Sequence, residues 1–330
     1  MIRVGPPPTR RGRAPRGAGS GAGVERRGRR GRAPRVERVI LLTGATGLLG
    51  SAVLRRLVAR GEPVRCLVRD ARRLGPDRMH VQLATGDLAD PAAFRNALRG
   101  VRAVVHLAGS ERDQPGATIE ELDGLATWRL LRAAERAGSR HLVWTMPLGA
   151  TPHHPSRVHR AKALAARAVA DAVIPTTTLA TSLLYAPGDR RLARLERLAL
   201  LPAVPLTGRG AARTQPVWAE DAADGVLAAL DREPEGHARH ELAGPEVLTH
   251  RQVVELVLRA AGRRRKLLPV PLAALRAVLT AGEVLAGPTT FATWEEALML
   301  AVPMLSPGGP AGLEALGVRP RRMAEVLGAG

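Results

Sequence analysis

Val39-Ile40-Leu41-Leu42-Thr43-Gly44-Ala45-Thr46-Gly47-Leu48-Leu49-Gly50 passes without interruption into Ser51-Ala52-Val53-Leu54-Arg55-Arg56-Leu57-Val58-Ala59-Arg60. An apolar, β-branched run, three glycines and then a helical pattern is the order in which a strand, a tight turn and a helix cradle the pyrophosphate of a dinucleotide. Gly44 permits the turn, Gly47 lets backbone come close to the pyrophosphate, and Gly50 lets the helix lie close on the strand. Thr46, Leu48 and Leu49 fill the rest of the loop, and the first N–H groups of the helix face the phosphates with the positive end of its dipole. A glycine-rich helix cap without ligand has the same spacing, and the strand–glycine–helix order favours the nucleotide.

The 330 residues can bury a large core, as one large domain or two smaller ones, and with aromatics at only 2% that core must be built from Leu, Val and Ala. Cys66 is the single cysteine, so an internal disulfide and any multi-cysteine metal site are excluded, and its place within Val64-Arg65-Cys66-Leu67-Val68 reads as a buried structural thiol. The uncharged stretch 173–188 is broken by Pro175 and Pro187 and cannot span a membrane as a helix; a cytoplasmic location is expected. The formal charge of +20 is half concentrated in residues 1–36, which hold eleven Arg against Glu25. Rich in Gly and Pro and without apolar periodicity, this tail is expected to be disordered. A non-functional extension ahead of a domain opening at Val36 or Val39 is favoured over a phosphate-binding arm and over a targeting peptide.

Beyond the first helix, Gly61 reads as its stop and Val64–Val68 as a second strand ending at Arg69-Asp70. Here, about 20 residues past the glycines, a carboxylate would hold a ribose 2′-hydroxyl and an arginine would accept a 2′-phosphate. Arg69 comes first, with Arg72 and Arg73 behind it, so NADP(H) is favoured, with NAD(H) as the alternative through Asp70. Residues 81–85 read as a third strand, followed by Gly86-Asp87-Leu88 and a helix with Asp90 as N-cap and Pro91 in its first position. Asp87 can accept from an adenine amino group or cap its own turn. Residues 102–107 form the fourth expected strand, and Leu107-Ala108-Gly109 lets backbone approach a cofactor; His106 reads as a satisfied strand-end histidine. A helical pattern over 119–137 is closed by Gly138, and 141–145 supply a fifth strand. Such alternation implies a doubly wound parallel sheet with right-handed crossovers, the Rossmann-type α/β class.

Thr43-Gly44-Ala45-Thr46-Gly47-Leu48-Leu49-Gly50, Arg69, Gly86-Asp87-Leu88 and His106-Leu107-Ala108-Gly109 together resemble the extended short-chain dehydrogenase/reductase family. The resemblance continues through Leu184-Tyr185-Ala186-Pro187-Gly188-Asp189, Pro216-Val217-Trp218-Ala219-Glu220-Asp221-Ala222-Ala223 and Leu242-Ala243-Gly244-Pro245-Glu246, and so covers nearly everything after the tail. It is closest to the atypical branch, with NmrA-like proteins and the nucleotide-binding accessory subunit of respiratory complex I.

In the typical family a Tyr and a Lys four residues apart share one helix face, where the ammonium lowers the phenol pKa and the phenol exchanges a proton with substrate. Here the segment is Val158-His159-Arg160-Ala161-Lys162: the lysine matches and the tyrosine does not. Tyr185, the one tyrosine, follows the next strand and cannot stand a turn from Lys162. Thr145 is the only hydroxyl offered where the family places a serine. The resemblance implies that Lys162 binds the nicotinamide ribose; His159, with His153 and His154 nearby, is a conceivable substitute acid.

The division expected is 1–36 tail, 37–188 nucleotide-binding core and 189–330 a smaller, mostly helical substrate side with elements returning to the core. Glu220 and Asp221 open a helix over 222–230, Thr249 and Gln252 form a capping box before a helix over 253–261, and 272–285 and 291–304 read as further helices. Arg263-Arg264-Arg265-Lys266 reads as a solvated loop, with an acidic partner or anionic lipid headgroups as alternatives. The expectation is a nucleotide-sensing or accessory NAD(P)(H)-binding protein; the alternative is an NADPH-dependent oxidoreductase acting on a quinone or other carbonyl compound. The partner is the dinucleotide together with an unidentified small molecule or protein. Nucleic acid is disfavoured for want of an aromatic platform or a recognition helix.

Overall fold

In the computed structural model, which describes residues 39–287 and 290–329, strands and helices alternate along the first half of the chain. These are β1 (Val39–Thr43), α1 (Leu48–Ala59), β2 (Val64–Val68), β3 (Gln82–Thr85), α2 (Pro91–Ala97), β4 (Val101–His106), α3 (Ala126–Arg136), β5 (His141–Pro147), α4 (Arg157–Ala170) and β6 (Thr176–Thr181). A short 3₁₀ stretch (Ala71–His80) follows β2, and a π-helical turn (Glu120–Leu125) leads into α3. The later part comprises β7 (Leu184–Tyr185), α5 (Arg190–Leu198), β8 (Ala203–Thr207), β9 (Arg213–Thr214), β10 (Val217–Trp218), α6 (Ala219–Asp231), β11 (His237–Leu242) and β12 (Leu248–Thr249). It ends with α7 (His250–Ala260), β13 (Lys266–Val270), α8 (Leu272–Ala286), α9 (Trp294–Met299), α10 (Ala311–Ala315) and α11 (Met323–Leu327). Residues 1–38 lie outside the described residues, and with them every expectation placed on the basic tail.

Seven strands form one parallel sheet in the order β11-β6-β5-β4-β1-β2-β3. The strand order reverses between β1 and β4, which is where a doubly wound sheet opens a crevice at the carboxyl ends of its strands. Alternation along β1 sends Val39 and Leu41 into the layer beneath α2, α3 and α4, and Ile40 and Leu42 into the layer beneath α1 and α6. A strand buried on both faces needs apolar residues at every position, which is why β1 reads as a continuous apolar run. On the second face, Arg56 of α1 is ion-paired to Glu220 and Asp224 of α6, and Arg60 to Asp231 at 2.8 Å. Cys66 is buried in β2, and burial pushes its thiol up to about 12.

Two segments depart from the sequence reading. The helix expected over 291–304 is confined to Trp294–Met299: Thr293 and Glu296 form a capping box at its start, and Pro303, which has no N–H to give, lies beyond its end. The helical run after residue 119 begins with one π turn, at which Gly124 packs closely on α4, its Cβ position standing 3.3 Å from the Ala161 carbonyl oxygen. A small satellite core of Ala199, Val204, Leu206, Val254 and Leu258 ties β8 and β13 to α5 and α7.

The turn after β1 leaves no room for a side chain at Gly44 or Gly50. Gly44 has φ +76°, and a Cβ on Gly50 would lie 2.0 Å from the Gly44 carbonyl oxygen. Gly50→Ala is therefore expected to cost about 1–3 kcal/mol in denaturant unfolding. Gly236→Ala, which meets nothing within 4 Å, should stay within about 0.5 kcal/mol. Equal costs would show that the β1–α1 contact is not the constraint.

Candidate functional site

The carboxyl ends of β1, β2 and β4 bring together the residues singled out from the sequence. Gly47 is the N-cap of α1, in extended conformation, and makes no side-chain cap. The first helical hydrogen bond runs from the Ser51 N–H to the Gly47 carbonyl at 2.9 Å, so the N–H groups of Leu48, Leu49 and Gly50 have no helical acceptor. No acidic residue stands in the first turn of α1. Unshared donors, the positive end of the dipole and the absence of a competing carboxylate fit a diphosphate group. Thr46 is half-buried beside this turn and Gly47 is exposed. Gly44 presses against the backbone of the β4 loop, its Cβ position 2.6 Å from the Ala108 nitrogen.

At the end of β2, Arg69 is exposed and its guanidinium donates to the Gln114 side chain in the loop after β4. Asp70 instead caps the 3₁₀ stretch, accepting the Arg72 N–H at 2.9 Å; that hydrogen bond holds its carboxyl below the usual range. After β3, Asp87 accepts the Ala89 N–H at 2.9 Å, closing its own turn with one carboxylate oxygen, and Leu88 packs at the edge of the core.

Lys162 lies on α4 with its side chain 6% exposed. Its ammonium donates to the Ala108 carbonyl at 3.2 Å, is 3.1 Å from Asp123 Oδ1, and sits over the Trp144 ring at 5.4 Å. Asp123 comes from the π turn and is 1% exposed, and its other oxygen accepts the Ser110 N–H at 2.9 Å. Burial raises the Asp123 pKa against the opposing pull of Lys162 and the Ser110 N–H. Lys162 and Asp123 thus fasten the 108–110 loop from both sides, and Gly109 is required there because a Cβ would lie 2.5 Å from Asp123 Oδ1. Asp123 was absent from the sequence reading, yet the signal was present: it is a lone carboxylate on the stripe Ile119, Leu122, Ala126 and Leu130 that the structure buries.

His106, fully buried, is hydrogen-bonded to Thr43 at 2.6 Å and to Thr127 at 3.0 Å. Thr127 gives its hydroxyl proton to the Asp123 carbonyl, so His106 Nε2 donates to Thr127 and Nδ1 accepts from Thr43. Burial, with Lys162 nearby, holds this ring neutral.

The other catalytic candidates are not assembled around Lys162. Val158, one turn before it, packs with Ile119, Ala161 and Met299 in a small apolar cluster. Thr145 shares the face of Val143, whereas Lys162 lies over Trp144 on the other face of β5, so strand alternation turns Thr145 away from the ammonium. His159 is sealed from solvent and stacked on His154 with ring centroids 3.8 Å apart, and neither of its nitrogens has a hydrogen-bond partner. Burial, followed by the neighbouring His154, pushes it down to about 3, so the ring is neutral near neutrality and has no imidazolium proton to give. Tyr185 is buried against β10, where burial raises its phenol pKa.

α9 closes over this end of the site. Glu295 accepts from the Ser156 hydroxyl at 3.1 Å and the Arg157 N–H at 3.0 Å at the start of α4. Glu296 pairs with Arg112 at 2.8 Å and Arg194 at 2.9 Å; burial would lift its pKa, but the two guanidinium groups hold it low.

Comparison with known proteins gives a consistent picture. The family described as NAD(P)H-binding matches residues 44–186. The chain is 32% identical over 232 residues to the (4-alkanoyl-5-oxo-2,5-dihydrofuran-3-yl)methyl phosphate reductase of Streptomyces griseus, covering 68% of this chain and 74% of that protein. It is 39% identical over 118 residues to sterol demethylase protein B of Methylococcus capsulatus, covering 35% of this chain and 36% of that protein. It is 29% identical over 246 residues to mitochondrial NADH dehydrogenase (ubiquinone) 1 alpha subcomplex subunit 9 of Arabidopsis thaliana, covering 71% of this chain and 60% of that protein. The chain thus spans about a third and three-fifths of the last two relatives. The NADPH-dependent quinone oxidoreductase QOR2 of Escherichia coli, solved with NADPH, superposes with a TM-score of 0.68 over 88% of this chain and 98% of that one; at 19% identity this likeness shows the fold alone.

The buried rings have a consequence for stability. His159 at about 3 and His250 at about 4 lie below the ordinary histidine value of about 6.5 that an unfolded chain retains. Their contribution is therefore fully present above pH 6.5 and is lost as the pH falls towards 4, at about 1.4 kcal/mol per pH unit for each ring. His159→Phe should remove one such share from the slope of unfolding free energy between pH 6 and pH 4.5. An unchanged slope would mean that the ring titrates freely in the folded chain.

Proposed function

We propose a function from one premise: the chain belongs to the atypical, extended branch of the short-chain dehydrogenase/reductase family of NAD(P)-binding proteins. On that premise it binds NADP(H) in preference to NAD(H) and serves as a cytoplasmic nucleotide sensor or accessory subunit. Gly44, Thr46, Gly47, Leu48, Leu49 and Gly50 would hold the pyrophosphate, Arg69 the 2′-phosphate, and Asp87 and Leu88 the adenine. Leu107, Ala108, Gly109 and Lys162 would meet the nicotinamide end. Residues 37–188 would then carry the nucleotide and 189–330 the substrate or partner side. The reduced nicotinamide supplies a hydride when bound.

What the chain adds to that hydride is position rather than a proton. Lys162 is held by Asp123 and the Ala108 carbonyl, which supports a fixed place for its ammonium at the ribose hydroxyls. The observation that carries the sensing or accessory reading is the apolar packing of Val158 one turn before Lys162, where the typical family places its phenol. The capping role of Asp70 supports the preference for NADP(H), because the carboxylate that would take a 2′-hydroxyl is already engaged, while Arg69 stands exposed.

A second reading rests on the 32% identity to a Streptomyces griseus reductase across most of its length. In it the protein reduces a quinone or another carbonyl compound, and water delivers the proton. Arg69→Ala should weaken NADPH binding about tenfold and leave NADH within about twofold, read by nicotinamide fluorescence. A screen of the wild type against quinones and carbonyl compounds separates the two readings: binding without turnover supports the sensor, and steady turnover supports the reductase. Equal loss for both nucleotides in Arg69→Ala would contradict the assignment of the 2′-phosphate.

A further inference from the structure

The helix α8 is amphipathic in the wrong sense for a soluble surface. None of its fifteen residues is buried. Its two charged residues, the exposed Arg276 and the half-buried Glu283, both reach Trp294: Arg276 stands 5.7 Å from the centre of the Trp294 ring, and Glu283 accepts the Trp294 backbone N–H. At 100° per residue the opposite face carries Ala274, Ala277, Val278, Ala281, Val284 and Leu285, all exposed, with Val278 at 69%, Val284 at 81% and Leu285 at 87%. An uncharged apolar stripe turned to water is a surface that something covers.

The charges around it identify the cover. Residues 263–287 hold five Arg or Lys against one Glu. Arg264 is exposed, and so is Lys266 at the start of β13; neither has an ion pair among the described residues. Arg263 and Arg265 both donate to the Ala199 carbonyl, which brings the basic run against the exposed Leu200 and Leu201; Leu268, also exposed, follows on β13. A second copy of this chain would set the same cationic run against itself across a two-fold interface, which like-charge repulsion opposes. An anionic bilayer surface meets both features at once, taking the apolar stripe to the depth of the headgroup boundary and the cations among the lipid phosphates. At fifteen residues α8 is too short to cross, and no helix among the described residues is long and apolar enough to do so.

We propose that α8, with the basic run that precedes it, is a seat for the surface of an anionic membrane, on which the protein lies without spanning it. α9 packs between α8 and the Val158–Met299 cluster, so the seat would hold the nicotinamide end of the cleft near the bilayer, where an apolar quinone or carbonyl compound dissolves. That last step rests on the reductase reading proposed above; the seat itself does not.

The test is co-sedimentation of the full chain with vesicles of phosphatidylcholine alone and of phosphatidylcholine with about a third phosphatidylglycerol, at low salt and at 0.3 M salt. The wild type should pellet with the anionic vesicles and retain part of its binding at the higher salt, because the apolar contribution is not screened. A V278E/V284E/L285E variant should lose at least tenfold in partitioning with an unchanged melting temperature, since these side chains are exposed. R264E/K266E should lose severalfold on anionic vesicles. Undiminished binding of the α8 variant would assign adsorption to the arginine-rich tail and overturn the proposal. A wild-type dimer in light scattering that the α8 substitutions dissociate would overturn it in favour of a second copy.

Discussion

Everything at the nucleotide end depends on how closely α1 lies against the turn that follows β1. With Gly50 in contact with the Gly44 carbonyl and Gly44 in contact with the backbone at Ala108, the turn, the helix and the β4 loop become one rigid piece. Side chains larger than hydrogen at either glycine would push the first turn of α1 off the sheet and move its free N–H groups away from the crevice between β1 and β4. The other residues proposed to hold the nucleotide are placed with respect to that turn, because β2 and β4 pair with β1 on its two sides.

The opposite end of the cleft depends on a different device. A buried carboxylate from a π turn and a buried ammonium from α4 meet at the backbone of the β4 loop. Charges this deep are tolerated because each is paired and further hydrogen-bonded, and loss of either partner would leave the other uncompensated. The pair orders the loop without supplying a titratable donor to a substrate. His106 and His159 do not supply one either, since His106 is neutral and internally satisfied and His159 is neutral and sealed.

The parallel sheet was legible because β1, β2, β4 and β5 are buried on both faces and therefore read as apolar runs between glycines and helical patterns. The steric roles of Gly44 and Gly50 were legible for the same local reason. Less accessible was anything that depends on which face a side chain takes at the end of a strand. Thr145 looked like a hydroxyl beside Lys162, but one residue of alternation separates it from the face of Trp144. His159 looked available on its helix until the stack with His154 buried it. The closing helix over 291–304 was overextended because its apolar spacing continues past Met299 into the turn before Pro303. The inverted orientation of α8 could not be read from periodicity alone, since a helical pattern gives an apolar face without saying which way it turns.

The central claim is that a dinucleotide diphosphate sits on the free N–H groups at the start of α1. Its most direct measurement is a calorimetric titration of NADPH into the wild type and into Gly47→Asp, which places a carboxylate at the N-cap, where it favours the helix and repels phosphate. The account predicts saturable binding to the wild type and at least a tenfold loss in the variant, with only a small change in thermal stability, since the new Cβ would stand 3.2 Å from the Gly44 carbonyl oxygen and needs that carbonyl to give by a few tenths of an ångström. A wild type that takes up no NADPH at millimolar concentration, or a variant that binds it equally well, would contradict the account.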